Sequence, residues 1–146
     1  MKALIQRTFS AQVTVDETIV GKIDSGLVVF LGVEKGDTEN STEKLVERVL
    51  NYRVFSDADD KLNLSLKDVK GQLLVVSQFT LAANTSKGRR PGFDTAADSE
   101  LGKALYDQFI TECRMQGIRV SSGRFGDHMV VSLANDGPVT FLLEAQ

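Results

Sequence analysis

The sequence predicts a mixed α/β class: a single domain over residues 1–146, mostly antiparallel strands with two main helices. Three observations predict it. Short apolar or alternating stretches recur between turn residues along most of the chain, about seven strands in all. Only two segments carry apolar residues at helical spacing, one in mid-chain and one between later strands. The connections are mostly of hairpin length, which excludes a doubly wound parallel sheet. A chain of 146 residues suits one domain, and folding at that size hides about two-thirds of the unfolded surface.

Within residues 2–15, Leu4, Ile5, Val13 and Val15 sit among polar residues. The alternation Val13-Thr14-Val15 predicts a strand. Asp16-Glu17 is the expected turn into a second strand over 19–23. Residues 26–33, Gly-Leu-Val-Val-Phe-Leu-Gly-Val, read as a third strand buried on both faces. A helix-start signal spans 37–41, with Asn40 and Glu43 spaced as a capping box. Leu45, Val46, Val49 and Leu50 then follow at helical spacing, for about four turns with one core face.

Residues 56–61 form an acidic loop. A calcium loop needs Gly at its sixth position for the tight turn, and Leu62 stands there, so a solvated loop is expected. Leu62, Leu64 and Leu66 alternate with polar residues, and Lys70-Gly71 turns the chain. The stretch Leu73-Leu74-Val75-Val76-Ser77-Gln78-Phe79-Thr80-Leu81 then reads as a central strand. A second helix is capped by Asp98 or Ser99 and ends near Gly117. Leu101, Leu105, Phe109 and Cys113 fall four apart on one face, which makes Cys113 a core residue rather than a nucleophile. Residues 118–122 and 129–133 are further strands. Asn135-Asp136-Gly137 reads as a hairpin turn, and 139–143 closes the chain as a strand.

Composition narrows the function. Net charge is −3, so contact with nucleic acid needs a local basic patch. One cysteine excludes an internal disulfide framework and fits a reducing compartment. No apolar run reaches the roughly 18 residues of a membrane span. Gln6, Arg7 and Thr8 break any signal-peptide pattern, and cytoplasm follows by default. One histidine and one cysteine cannot make a zinc site. Gly21-Lys22 lacks the spacing of a phosphate-binding loop. No metal or other cofactor is expected.

Chemistry concentrates at the end of the central strand. Ser77, Gln78 and Thr80 put polar side chains where core should continue. An unpaired buried polar group costs about 1–3 kcal/mol. These groups therefore either cap backbone at a strand end or open onto a pocket. The loop Asn84-Thr85-Ser86-Lys87-Gly88-Arg89-Arg90-Pro91-Gly92 comes directly after, flexible and basic, and suits an anionic ligand. The only histidine, His128, could complete a Ser-His-Asp arrangement with Asp127 only if the fold brings it to Ser77 or Thr80. In Asn135-Asp136-Gly137-Pro138-Val139-Thr140, Pro138 removes a donor where a returning strand should begin. A Gly-Pro pair also bares two carbonyls, fit to hold an ammonium group.

Ser77-Gln78-Phe79-Thr80-Leu81 and Gly137-Pro138-Val139-Thr140, in that order, resemble the two signature motifs of the D-aminoacyl-tRNA deacylases, also called D-tyrosyl-tRNA deacylases. The resemblance covers the whole chain. It includes Ala3-Leu4-Ile5-Gln6-Arg7, the third strand, Lys61-Leu62-Asn63-Leu64-Ser65, Lys87-Gly88-Arg89-Arg90-Pro91 and Phe125-Gly126. Departures fall at Ala82-Ala83-Asn84 and at Gly92. The resemblance implies a β-barrel-like α/β domain that works as a homodimer. It implies hydrolysis of the ester joining a D-amino acid, or glycine, to the tRNA 3′-terminal adenosine, with L-aminoacyl substrates rejected. Ser77, Gln78, Phe79 and Thr80 become the catalytic set. Gly137 and Pro138, joined by a cis bond, would enter the partner subunit's pocket and capture the α-ammonium. Lys87, Arg89 and Arg90, with Arg7 and Arg124 beside them, would meet tRNA phosphates.

Two other classes fit the bare residues. One is a small-molecule esterase using Thr80 or Ser77, active without tRNA. The other is an RNA-binding module that leaves the ester intact.

Overall fold

The computed structural model describes residues 1–146. Its first strand, β1 (Lys2–Val15), is one continuous element. Asp16 and Glu17 both take positive φ, 46° and 63°, and turn it into β2 (Thr18–Ile23). Two consecutive positive-φ residues belong to the tight hairpin turn whose twist matches the strands. β3 (Gly26–Gly32) returns antiparallel to the first half of β1, while β2 pairs with the second half. Helix α1 spans Glu39–Asn51. Its cap is Thr38, whose side chain accepts from Ser41 N–H while the Ser41 side chain accepts from Thr38 N–H. The expected Asn40–Glu43 box therefore lies two residues too late. Thr38 is the residue with extended backbone, which a capping side chain needs to reach back.

The short strands β4 (Phe55–Ser56) and β5 (Leu62–Leu64) form a small ribbon of their own. Between them Asp57 accepts from Lys61 N–H, Asp59 N–H and the Asn63 amide. These bonds, the one from Lys61 N–H foremost, hold the Asp57 carboxyl below the usual carboxylate range. The carboxylate ties the loop to itself, in line with a plain solvated loop.

β6 (Gln72–Ser77) pairs parallel to β3 on one side and parallel to β7 (Val120–Ser122) on the other. Helix α2 (Ser99–Met115), capped by Asp98, supplies the crossover between β6 and β7. The sheet order is β2-β1-β3-β6-β7, mostly antiparallel with a parallel centre. It curls until β7 meets β2, where the Ser121 hydroxyl donates to the Lys22 carbonyl. A Cβ on Gly21 would lie 2.4 Å from the Ser122 carbonyl oxygen, so the barrel-like closure needs glycine there.

Curling makes two apolar compartments. Leu27, Val29, Leu31, Leu73 and Val75 face the helices, with Leu45, Val49, Phe109 and Cys113. Val28, Leu74 and Val76 face inward, with Val13, Val15 and Ile23. β3 and β6 are thus buried on both faces, which is why their sequences read as unbroken apolar runs. Burial pushes the Cys113 thiol up to about 12, which keeps it an inert core residue.

The last strand departs from expectation. β8 (Val130–Glu144) is one element paired along β1, and Asn135-Asp136-Gly137 is no hairpin. Gln6 pairs with Thr140 and Thr8 with Asn135, so residues 136–139 stand opposite Arg7 alone. The turn-forming residues make an outward loop within a strand. Turn chemistry is local and cannot distinguish a reversal from a bulge when the same partner strand waits on both sides.

Candidate active site

Ser77 ends β6 half-buried. The ladder runs one residue further, as Gln78 N–H donates to the Leu31 carbonyl at 2.8 Å. The expected strand over 73–81 therefore stops early, and Phe79–Ala82 is a short 3₁₀ helix. Leu81 N–H donates to the Gln78 carbonyl at 3.2 Å and Ala83 N–H to the Thr80 carbonyl at 3.1 Å. Phe79 and Thr80 are the first two residues of this turn, which Gln78 does not cap with its side chain. The first N–H groups of a helix have no acceptor inside it. Two adjacent donors thus cluster where the strand ends.

Next to them lies a cavity of about 500 Å³. Ser77, Gln78 and Phe79 line one wall, the start of α2 (Asp98, Ser99, Gly102) another, and residues 125–129 a third. His128 does come to this cavity, beside Asp127. Thr80 is exposed and outside the lining, and its hydroxyl accepts from the Gln78 amide. A nucleophilic hydroxyl needs a base to take its proton. The partner of Thr80 is a donor, so no activated Ser-His-Asp type arrangement forms on it.

α2 fixes the far wall. The Tyr106 hydroxyl donates to the Val75 carbonyl at 3.0 Å, and its ring packs on Phe125 at 5.6 Å between centroids. Burial pushes the Tyr106 phenol up to about 12, so it remains a neutral donor at any working pH. Phe125, a cavity residue, is thereby tied to β6. Sequence reasoning gives Asp98 only the cap of the second helix, and assigns no place in a cavity to residues 125–129 as a group. The signal for them is positional: they meet Ser77 only through the crossover of α2.

Gly137 and Pro138 do not line this cavity. Both sit on the outward loop in β8, and the bond between them is cis. The loop is held from both flanks. The Arg7 guanidinium meets the Asp136 carboxylate at 3.1 Å and carbonyl at 3.2 Å, and donates to the Val54 carbonyl at 2.8 Å. Asn135 Oδ1 accepts from Val139 N–H at 2.9 Å. Arg7, whose side chain is only 11 % exposed, is thus a clamp on the loop and is not free to meet a phosphate. Lys87, Arg89 and Arg90 are on the surface, in a loop closed at its stem by two bonds between Asn84 and Gly92. One chain therefore gathers Ser77, Gln78 and Phe79, and leaves Gly137, Pro138 and the basic loop outside.

A family model described as D-Tyr-tRNA(Tyr) deacylase matches residues 4–144. A D-aminoacyl-tRNA deacylase of Shewanella denitrificans (strain OS217 / ATCC BAA-1090 / DSM 15013) is 58% identical over 144 residues, 99% of this chain and 99% of that protein. One of Pelobacter propionicus (strain DSM 2379 / NBRC 103807 / OttBd1) is 55% identical over 144 residues with the same coverage. A solved structure named c-Myc DNA Unwinding Element Binding Protein superposes with a TM-score of 0.94 at 38% identity, covering 100% of this chain and 99% of that one. A probable eukaryotic D-amino acid tRNA deacylase superposes with a TM-score of 0.83, covering 98% of each chain; at 20% identity it speaks for the fold alone.

Proposed function

The chain belongs to the D-Tyr-tRNA(Tyr) deacylase family, and from that premise we propose that it hydrolyses the ester of D-aminoacyl-tRNA, rejects the L-isomers and accepts glycyl-tRNA. The observation that carries the reading is the pair of uncapped N–H donors, Phe79 and Thr80, beside the cavity walled by Ser77 and Gln78. An ester carbonyl set there develops its negative charge against two fixed backbone donors. One such donor contributes about 2.7–4 kcal/mol to the barrier reduction. Water attacks the carbonyl carbon, the bond to the 3′-oxygen breaks, and the proton lost by the water ends on that oxygen. With no base on Thr80, the neighbouring 2′-hydroxyl of the terminal adenosine is the group that assists. The direct test is release of free D-amino acid and intact tRNA from D-aminoacyl-tRNA. Loss of tRNA integrity, or binding with the ester intact, would point to another class.

Chirality is read by backbone. The substrate's α-ammonium meets the carbonyls of Gly137 and Pro138, and the tight fit around the α-carbon leaves no room for an L side chain. No lined pocket for a side chain is required, which suits tolerance of different D-amino acids. These two residues stand outside their own cavity, so a second copy has to bring them to it. β8 favours this: it pairs only with β1 and leaves a free edge with Val130 and Leu142 exposed. A long free edge is a surface that proteins cover. The expected species at micromolar concentration is a dimer of 16.0 kDa chains. Light scattering that finds an active monomer would remove the cross-subunit role.

Lys87, Arg89 and Arg90 supply phosphate contacts in a chain of net charge −3. Removing one phosphate contact flattens the slope of log affinity against log salt by about 0.7 for single strands or 0.9 for duplex. Replacing all three with alanine is expected to flatten it by roughly two units or more. An unchanged slope would move the tRNA footprint elsewhere. A substrate carried by tRNA also places the work in the cytoplasm, where translation runs.

A further inference from the structure

Phe79 and Phe93 are 58% and 40% exposed, yet their rings pack on each other, 5.1 Å between centroids and tilted by 48°. Phe79 lines the cavity, and Phe93 lies outside it. Phe93 is the residue after Gly92, which closes the stem of the basic loop with Asn84. Cavity, Phe79, Phe93 and the loop of Lys87, Arg89 and Arg90 thus succeed one another across the surface. The Phe93 segment is also fixed. The Phe93 carbonyl accepts from Ala96 N–H at 3.1 Å, Lys35 N–H donates to the Thr95 carbonyl at 2.9 Å, and Ala97 N–H donates to the Val33 carbonyl at 3.1 Å. The Thr95 hydroxyl donates to the Ala82 carbonyl. An exposed aromatic pair on anchored backbone, next to unpaired cations, has the make-up of a single-strand nucleic-acid platform.

We propose that Phe93, backed by Phe79, stacks the unpaired base that precedes the terminal adenosine of the bound RNA, while the basic loop takes the phosphates beyond it. The inference rests on the deacylase reading for its substrate but makes its own demand: recognition extends at least one nucleotide outside the cavity. Base stacking on an aromatic side chain accounts for about 5- to 150-fold in affinity per base.

The test uses the full-length protein and two substrates, D-aminoacyl-tRNA and a D-aminoacyl ester of adenosine alone. Phe93→Leu keeps apolar bulk and removes the aromatic face. It is expected to raise KM for the tRNA substrate about fivefold or more, to leave kcat unchanged, and to leave both constants for the adenosine ester unchanged. Phe93→Trp should restore the tRNA KM. Uncharged tRNA carrying 2-aminopurine at the penultimate position should lose fluorescence on the wild type and much less on Phe93→Leu. A kcat loss shared by both substrates would mean that Phe93 only props Phe79, and would overturn the proposal. Unquenched 2-aminopurine on wild-type protein that does bind the tRNA would overturn it too. If the wild type quenches 2-aminopurine yet hydrolyses neither ester, the deacylase reading fails and the stacking site stands.

Discussion

Gly137→Ala is expected to lower kcat/KM on D-aminoacyl-tRNA by about a hundredfold while the protein stays folded, since a shift of about 1 Å at a reacting centre suffices for that loss. Gly137 has φ +138°, a value that L residues rarely adopt. A Cβ there would lie 2.6 Å from Val139 Cγ2 and 2.8 Å from Val139 N. The second of these is backbone, so relief requires the loop itself to move. It has little freedom to move harmlessly, because Asn135 holds Val139 N–H and Arg7 holds Asp136. The displaced atoms are the carbonyls proposed to hold the α-ammonium. Strain at such a position costs about 1–3 kcal/mol. Each kcal/mol moves the Tm of a domain this size by roughly 2–8 °C. The loop is outside both apolar compartments, so the fold should survive. Steady-state kinetics on both isomers, with a melting curve beside them, checks this. Wild-type kinetics in a folded Gly137→Ala protein would reduce the loop to a surface bulge.

The second large effect belongs to the substrate. Removing the 2′-hydroxyl of the terminal adenosine is expected to abolish most turnover, about a hundredfold or more, whereas Thr80→Ala should lose less than about tenfold, under about 1.4 kcal/mol. Thr80 is exposed, lies outside the cavity lining and accepts from the Gln78 amide. Its side chain meets only Gln78, and alanine keeps the backbone N–H proposed to face the oxyanion. A hydroxyl adjacent to the scissile ester enjoys an effective concentration that no solvent group matches. Rapid quench on the 2′-deoxy substrate measures one arm, and mass spectrometry of stalled enzyme the other. An acyl group trapped on Thr80 would reverse the roles.

Much of the fold and part of the site are legible in the sequence, and the differences have physical causes. β3 and β6 are legible because burial on both faces leaves nothing but apolar residues. Ser77 and Gln78 stand out because polarity intrudes at the end of such a run. The hairpin expected at 135–137 is absent because Asn, Asp and Gly permit a sharp turn whichever strand the chain pairs with next. Here the chain rejoins β1, with Thr140 opposite Gln6. Arg7 reads as a free cation because nothing local marks its partners, Asp136 and Val54, which are distant in sequence. The cavity itself is illegible. Asp98, Phe125 and His128 meet Ser77 only by tertiary packing, through α2 and its Tyr106 anchor on Val75. That Gly137 and Pro138 stand apart from that cavity is expected only through the family resemblance, since the motif by itself carries residue order without distances.

The most direct measurement of the central claim tracks ester loss from tRNA charged with the D- and the L-isomer of one amino acid, and with glycine, at equal enzyme concentration. D-aminoacyl-tRNA and glycyl-tRNA should lose their esters well above the uncatalysed rate, because a hydrogen and a D side chain both leave the rigid loop unobstructed. L-aminoacyl-tRNA should decay at the uncatalysed rate. Equal acceleration of both isomers would contradict selection by the Gly137 and Pro138 carbonyls, and no acceleration of the D-isomer would contradict the activity itself.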